Sequence, residues 1–249
     1  MESQKETRRS AVATTGDKSR THGPRTHGRW YGDACGAAFA MELIGERWSL
    51  PIIREMMLGP RRFSEIRADL PGLSAKTLTE RLESLEQTGI VARTALPPPA
   101  SVQVYRLTEW GLALEPVLQE LGRWAVRSTL HDPTLPITPV SLMLSLRTMI
   151  LPERIGDLAL TVRFAVGDRH FTGRLGRGET GQGELAVTPA DADDPAPDLV
   201  FAADAGFPFL AVFYGKWPRG EVQALRVEGG PGPVQRFIDL FDLPPKVGG

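Results

Sequence analysis

Hydroxyl and basic side chains are concentrated at the start of one predicted helix, within the eight residues from 74 to 81. They are Ser74, Lys76, Thr77, Thr79 and Arg81. When the N-terminal turn of a helix enters the major groove of DNA, such side chains meet phosphates and base edges. The same pattern also fits an amphipathic helix with a solvated face, because helix-turn-helix patterns are common in proteins that bind no DNA. We predict DNA contacts at these five positions.

Two apolar stripes at helical spacing predict that this helix is the second of a pair. Pro71 and Gly72 separate the two helices. The Ser74 hydroxyl can accept a backbone N–H that is free at the helix start, and Gly89 can end the helix in the left-handed conformation. The stripes consist of Phe63, Ile66 and Leu70 in the first helix and Leu78, Leu82 and Leu85 in the second.

Alternating residues after Gly89 predict a β-ribbon with strands near 91–95 and 102–106. Three prolines, residues 97–99, hold its tip open. A helix-turn-helix followed directly by a β-ribbon is a winged helix, whose ribbon tip can touch the DNA backbone or minor groove. We therefore add Ser101 in the tip, and Arg62 just before the helix-turn-helix, to the predicted DNA contacts.

A long helix is predicted from Thr108 to Leu130, capped by Thr108 and kinked at Pro116. A small winged-helix domain offers such a helix little core to cover, so we expect it to pack against a second copy of itself. A homodimer would place two recognition helices about 34 Å apart, on a palindromic site. The apolar side of the helix consists of Leu112, Val117, Leu121 and Trp124.

The charge of the chain is unevenly distributed, although its net value is only −1. Residues 1–30 carry seven basic and three acidic side chains, whereas residues 132–249 carry 11 basic and 15 acidic ones. The C-terminal half is therefore a poor candidate for a DNA surface. The polar tail, residues 1–31, is predicted to be disordered; it either adds phosphate contacts or is simply solvated.

Composition points to an ordinary globular protein of the reducing cytoplasm. No apolar run has membrane-spanning length, and the N-terminus has no hydrophobic secretory segment. The single cysteine, Cys35, excludes an internal disulfide framework.

A Pro-punctuated linker at 131–139 separates the predicted winged helix from a second domain. An apolar helix at 140–151 opens that domain, followed by predicted strands and two further helices. An aromatic cluster near residue 210 suggests a pocket, although core packing is the alternative for each member. Methionine side chains could form a deformable wall. The predicted ligand-binding residues are Met143, Leu146, Phe207, Phe209, Leu210, Phe213, Tyr214 and Trp217.

Several motifs fail as catalytic or cofactor sites. Residues 176–181 spell a dinucleotide fingerprint, but a strand is predicted after them where the mechanism needs a helix N-terminus. The four histidines have no zinc-ligand spacing, and three aspartates at 191–194 lie in a Pro-flanked loop. No nucleophile has a defensible base and orienting partner. We expect no metal, no cofactor and no enzyme activity.

Four motifs lie between Cys35 and Trp124: Leu-Ile-Gly-x-x-Trp at 43–48, Gly-Pro-x-Arg-Phe-x-Glu at 59–65, Leu-x-x-Arg-Leu-x-x-Leu-Glu at 78–86 and Tyr-x-Leu-Thr-x-x-Gly at 105–111. Together they resemble the HxlR family of bacterial winged-helix transcription regulators. The resemblance implies a dimeric DNA-binding regulator that responds to small molecules or oxidants. The sequence departs from it at the wing tip, where residues 99–102 lack the basic residue of many members.

Cys35 matches a cysteine that senses oxidants in some members of that family. A thiol at a helix N-terminus has a lowered pKa and forms the reactive thiolate more readily. The alternative is a small residue packed near the dimer interface.

The order and pattern of elements from 140 to 243 resemble the sterol-carrier-protein-like α/β fold, which implies a tunnel for lipids or other hydrophobic molecules. We therefore expect an α+β protein, with an N-terminal winged helix-turn-helix domain and a C-terminal α/β sterol-carrier-like domain. The expected function is a DNA-binding transcriptional regulator modulated by a small hydrophobic ligand. The alternative is a lipid carrier that uses its winged helix as an interaction module. The expected segments are a basic tail at 1–31, a DNA-binding and dimerisation domain at 32–130, the linker at 131–139 and the ligand domain at 140–249.

Overall fold

The structure, a computed structural model, describes residues 31–95, 102–178 and 181–248. The tail at 1–30 and the wing tip, including Ser101, lie outside the described residues. The predictions made for them therefore stay predictions.

The N-terminal half contains the predicted helix-turn-helix with its expected ends. The Ser74 hydroxyl accepts the backbone N–H of Thr77 at 3.0 Å, and Gly89 takes a φ of +76° after the second helix. The helices are α1 (Gly36–Ile44), α2 (Ser49–Glu55), α3 (Phe63–Asp69) and α4 (Ala75–Gln87).

The wing is an antiparallel pair of strands, β1 (Val91–Ala95) and β2 (Gln103–Leu107). A third extended segment joins it, because the backbones of Arg61 and Tyr105 exchange two N–H···O bonds of 2.8 Å. This bridge fixes the ribbon beside the start of α3.

The single long helix predicted from Thr108 to Leu130 is wrong in its extent. The chain forms α5 (Glu109–Leu112) and α6 (Glu115–Ala125), which ends before Leu130. Thr108 caps α5 as predicted, since its hydroxyl accepts the N–H of Gly111 at 3.0 Å. Pro116 does not kink a continuous helix: it lies in the first turn of α6, where its missing N–H removes no helical bond.

The C-terminal half is a five-stranded mixed sheet covered by helices. The strand order is β5-β4-β3-β6-β7; β3 and β6 are parallel, and the other neighbours are antiparallel. Gly176 and Arg177 end one strand of this sheet and Gly183 begins the next, so a strand and not a helix follows the rejected dinucleotide motif, as predicted. The elements are α7 (Pro139–Met149), α8 (Pro152–Ile155), β3 (Leu160–Val166), β4 (Arg169–Arg177), β5 (Gly183–Pro189), β6 (Leu199–Ala203), α9 (Phe207–Phe213), a 3₁₀ turn (Arg219–Glu221), β7 (Arg226–Glu228) and α10 (Pro231–Ile238).

The two halves share one connected hydrophobic core. Helix α7 packs against α2 and α6, and polar contacts cross the same boundary. Arg147 lies 2.8 Å from Glu115, and the Thr138 hydroxyl donates to Glu55 at 2.8 Å. Helix α7 therefore contacts the winged-helix half through both apolar and polar groups.

Across the described part of the chain, no helix combines the length and the apolarity needed to cross a membrane.

Candidate nucleic-acid interface

The N-terminal turn of α4 is exposed and rich in hydroxyls. Ser74 is exposed, and its Oγ caps the helix. The same Oγ lies 2.9 Å from the Thr77 Oγ1. The Thr79 hydroxyl donates to the carbonyl of Ala75 at 3.0 Å, which leaves its oxygen able to accept. The structure thus brings these three predicted contacts together on one turn, with their rotamers held by local hydrogen bonds.

Lys76 is the cation of this turn that faces solvent. Its side chain is 86% exposed, and its Nζ lies 3.9 Å from the Glu80 carboxylate. An exposed pair at that distance contributes little to stability. A DNA phosphate could therefore replace Glu80 at small cost.

Arg81 faces the protein instead. Its side chain is only 16% exposed, and Nη2 lies 2.9 Å from the Glu46 carboxylate. The pair ties α4 to the turn between α1 and α2. Contact between Arg81 and DNA stays a prediction, and this placement favours a role in positioning the recognition helix.

The three arginines near α3 differ in what they bind. Arg62 is exposed, and its backbone N–H donates to the Glu65 carboxylate at 2.8 Å. Arg61 is buried and paired with Asp69, while Arg54 is paired with Glu55 at 2.7 Å. Of the three, Arg62 is therefore the one placed to reach a phosphate.

Two exposed arginines of the wing were missed as candidate contacts. Arg93 on β1 and Arg106 on β2 lie opposite Tyr105 and Ala92, in the strands next to the helix-turn-helix. They place positive charge on the ribbon itself. The register places Arg93 and Arg106 on opposite faces of the ribbon, so alternation alone does not indicate that both are exposed.

Cys35 is exposed at the N-cap of α1, as the sequence predicted. The backbone N–H groups of Ala38 and Ala37 lower the pKa of its thiol, because they stabilise the thiolate. This position favours reactivity and does not by itself show a redox function.

Four of the eight predicted ligand-binding residues lie in the packed interior between α7, α9 and the sheet. Met143, Leu146, Phe209 and Phe213 are buried. Phe213 lies with its ring centroid 5.1 Å from those of Phe201 and Phe241. These ring contacts account for the burial, so binding of a ligand by these residues stays a prediction.

The other four members of that group are half-buried or exposed. The Tyr214 hydroxyl lies 2.8 Å from the Ser145 hydroxyl, and burial of the phenol raises its pKa. Phe207 and Trp217 are exposed and meet edge to face, with centroids 6.2 Å apart, while Leu210 is half-buried. The structure therefore divides the predicted set between a packed interior and an exposed aromatic pair.

An apolar surface runs along α1, α5 and α6. In a monomeric protein, large exposed apolar patches are uncommon and usually mark an interaction surface. Its exposed members include Met41, Trp110, Leu112, Val117, Leu121 and Trp124.

Residues 43–132 match the family model described as HxlR-like helix-turn-helix. Over 86 residues the chain is 48% identical to the HTH-type transcriptional regulator YodB of Bacillus subtilis, covering 34% of this chain and 77% of YodB. An uncharacterized HTH-type transcriptional regulator of the same organism, YvaP, is 42% identical over 86 residues, covering 34% of this chain and 80% of YvaP.

The solved structure of the reduced form of YodB from B. subtilis is 42% identical, covers 40% of this chain and all of YodB, and has a TM-score of 0.37. The family match ends at residue 132, so it does not identify the C-terminal sheet domain. The chain therefore belongs, through its N-terminal region, to the HxlR-like helix-turn-helix family of DNA-binding transcriptional regulators, which are not enzymes.

Proposed function

We propose that the chain is a homodimeric regulator that places α4 in the major groove of a palindromic operator. The exposed first turn of α4 is the observation that carries this proposal. Lys76 and the hydroxyls of Ser74, Thr77 and Thr79 lie there together, with Arg62 exposed at the start of α3. Ser101 in the wing tip completes the proposed contacts on sequence grounds.

Dimer formation is supported by the apolar surface of α5 and α6. Leu112, Val117 and Leu121 are between 42% and 46% exposed, which leaves apolar area for a partner to cover. We infer that a second copy covers it. Sedimentation equilibrium tests this inference, and a purely monomeric protein at micromolar concentration would contradict it.

We further propose that the C-terminal domain binds a small hydrophobic ligand and controls the dimer. The α/β sheet domain is compatible with the sterol-carrier-like resemblance, and its helix α7 packs on α6. A ligand can act only if it binds one arrangement of the dimer better than the other. The contact between α6 and α7 offers a direct route for that difference.

A thiol switch through Cys35 is the alternative means of regulation. It is supported by the exposure of Cys35 and by the lowered pKa of its thiol. We expect an oxidant such as diamide to release wild-type protein from DNA and to leave Cys35→Ser bound. Equal release of both proteins would exclude this switch.

Replacing Lys76 with alanine is expected to weaken operator binding by about tenfold or more, because each half-site loses a charge contact. The operator would first be selected from random duplexes by the purified protein, and binding then followed by fluorescence anisotropy at several salt concentrations. The salt dependence should also become shallower. Stability should be unaffected, since the Lys76–Glu80 pair is exposed.

Arg236→Ala is the matched control, because Arg236 is an exposed cation on α10 in the C-terminal half. It should bind the operator like the wild-type protein. Equal losses in the two variants would mean that total charge, rather than the start of α4, determines affinity. Failure of the wild-type protein to bind any duplex would instead favour the carrier alternative.

A further inference from the structure

An open groove lies where the winged-helix half meets the C-terminal half. Its volume is about 530 Å³, within the range of roughly 300–1,000 Å³ typical of small-molecule sites. One wall comes from α6, a second from residues 148–151 at the end of α7, and the third from residues 242–245 near the C-terminus. Such boundaries between domains are common places for ligands.

The far wall of the groove is held by reciprocal hydrogen bonds to residues 126–128, which directly follow α6. Lys246 Nζ donates to the carbonyls of Val126 and Ser128 at 2.8 and 2.9 Å. The N–H of Val247 donates to the carbonyl of Arg127 at 2.8 Å, and Arg127 Nε donates to the carbonyl of Pro245 at 3.2 Å. These hydrogen bonds fix the position of the wall, so the groove is a defined part of the fold.

Apolar side chains provide most of the lining of the groove. Trp124, which is 75% exposed, lines the groove together with Leu243 and Pro244. Met149 and Ile150 also line the groove. An aromatic ring could therefore lie against the indole and exclude water from several side chains at once.

Among the charged side chains that line the groove, Arg127 is the cation that forms no ion pair within the described residues. Arg123 is paired with Glu120, and Asp242 lies 3.8 Å from Arg154. Arg127 uses Nε on a carbonyl, and within the described residues no carboxylate forms an ion pair with it. Its two Nη groups can hold a carboxylate through paired hydrogen bonds.

We propose that this groove is a binding site for a small aromatic carboxylate, with the ring against Trp124 and the carboxylate on Arg127. The site differs from the aromatic cluster around Phe213, which is buried. Binding at this site does not depend on the proposed function, but its effect on regulation does. The groove meets the proposed dimer surface at Trp124, so an occupied groove would bias the position of α6.

The test uses the full-length protein and 2-naphthoate, with 2-naphthamide as the uncharged probe of the same shape. Binding is measured by equilibrium dialysis without DNA, and the expected dissociation constant for naphthoate is on the order of 100 µM. We expect naphthamide to bind about tenfold more weakly to the wild-type protein, because it lacks the charge-assisted pair with Arg127.

Arg127→Gln should weaken naphthoate binding by about tenfold and naphthamide binding much less, because the wall keeps its bonds from Lys246 and Val247. The difference between the two losses isolates the arginine–carboxylate pair. Arg236 is exposed and does not line the groove, so Arg236→Gln should bind both probes like the wild-type protein. Trp124→Phe should retain binding and lose the quenching of tryptophan fluorescence by naphthoate. Thermal unfolding of each variant checks that the fold is retained.

Equal binding of the acid and the amide by the wild-type protein would overturn the proposal, as would unchanged naphthoate binding by Arg127→Gln or no binding up to millimolar concentration. A separate measurement of operator affinity with and without naphthoate addresses regulation. Operator affinity that does not respond to a bound probe would contradict a regulatory role for this groove and leave the binding site itself established.

Discussion

Gly111→Ala is expected to destabilise the winged-helix half by about 3 kcal/mol, and its folded population should fall accordingly. A Cβ atom at this position would lie 2.2 Å from the carbonyl oxygen of Ile90 and 3.2 Å from the Cβ of Leu107. The Ile90 carbonyl cannot easily move, because it accepts the backbone N–H of Thr108 at 3.0 Å. The clash would separate α5 from the base of the wing.

Gly122→Ala is the matched control for that substitution. Gly122 lies inside α6, and a Cβ atom there would meet nothing within 4 Å. Since alanine is favoured over glycine inside helices, the change should be neutral or stabilise the protein by up to about 1 kcal/mol. Urea unfolding, followed by circular dichroism, measures the free energy of unfolding of both variants. A comparable loss of stability in the two would show that the clash with Ile90 does not cause the destabilisation.

Phe213→Ala is expected to cost about 3–5 kcal/mol of stability in the C-terminal half. The ring is fully buried, and its centroid lies 5.1 Å from that of Phe241 and 5.9 Å from that of Phe237. Removing it loses apolar burial and leaves a cavity that the surrounding rings can fill only in part.

Phe207→Ala tests whether the loss of stability depends on the burial of the ring rather than on the residue type. Phe207 is 41% exposed and touches Trp217 edge to face, so its removal should cost no more than about 1 kcal/mol. Differential scanning calorimetry compares the two variants. If Phe213→Ala were as stable as Phe207→Ala, the cluster would be loosely packed, and a ligand cavity among these rings would become the better explanation.

Local patterns were sufficient to predict most elements and their ends. Ser74 and Gly89 bound the recognition helix as predicted, because a cap and a left-handed glycine act through bonds within a few residues. The two wing strands also follow from residue alternation. The boundary near Ala113 was missed, since Leu112 and Val117 continue an apolar pattern across two helices.

By itself, the sequence determined the helix-turn-helix, the wing strands and the family to which residues 43–132 belong. Only the tertiary structure decided which cations remain available to a ligand. The half-buried Arg81 side chain forms an ion pair with Glu46 on another segment, whereas the Lys76 side chain is 86% exposed. Only the fold, likewise, created the groove, whose Lys246 bonds a carbonyl 120 residues away. The periodicity of apolar residues indicates which segments form helices or strands and which face of each is buried. The contacts of a side chain with residues distant in sequence depend on how these elements pack together.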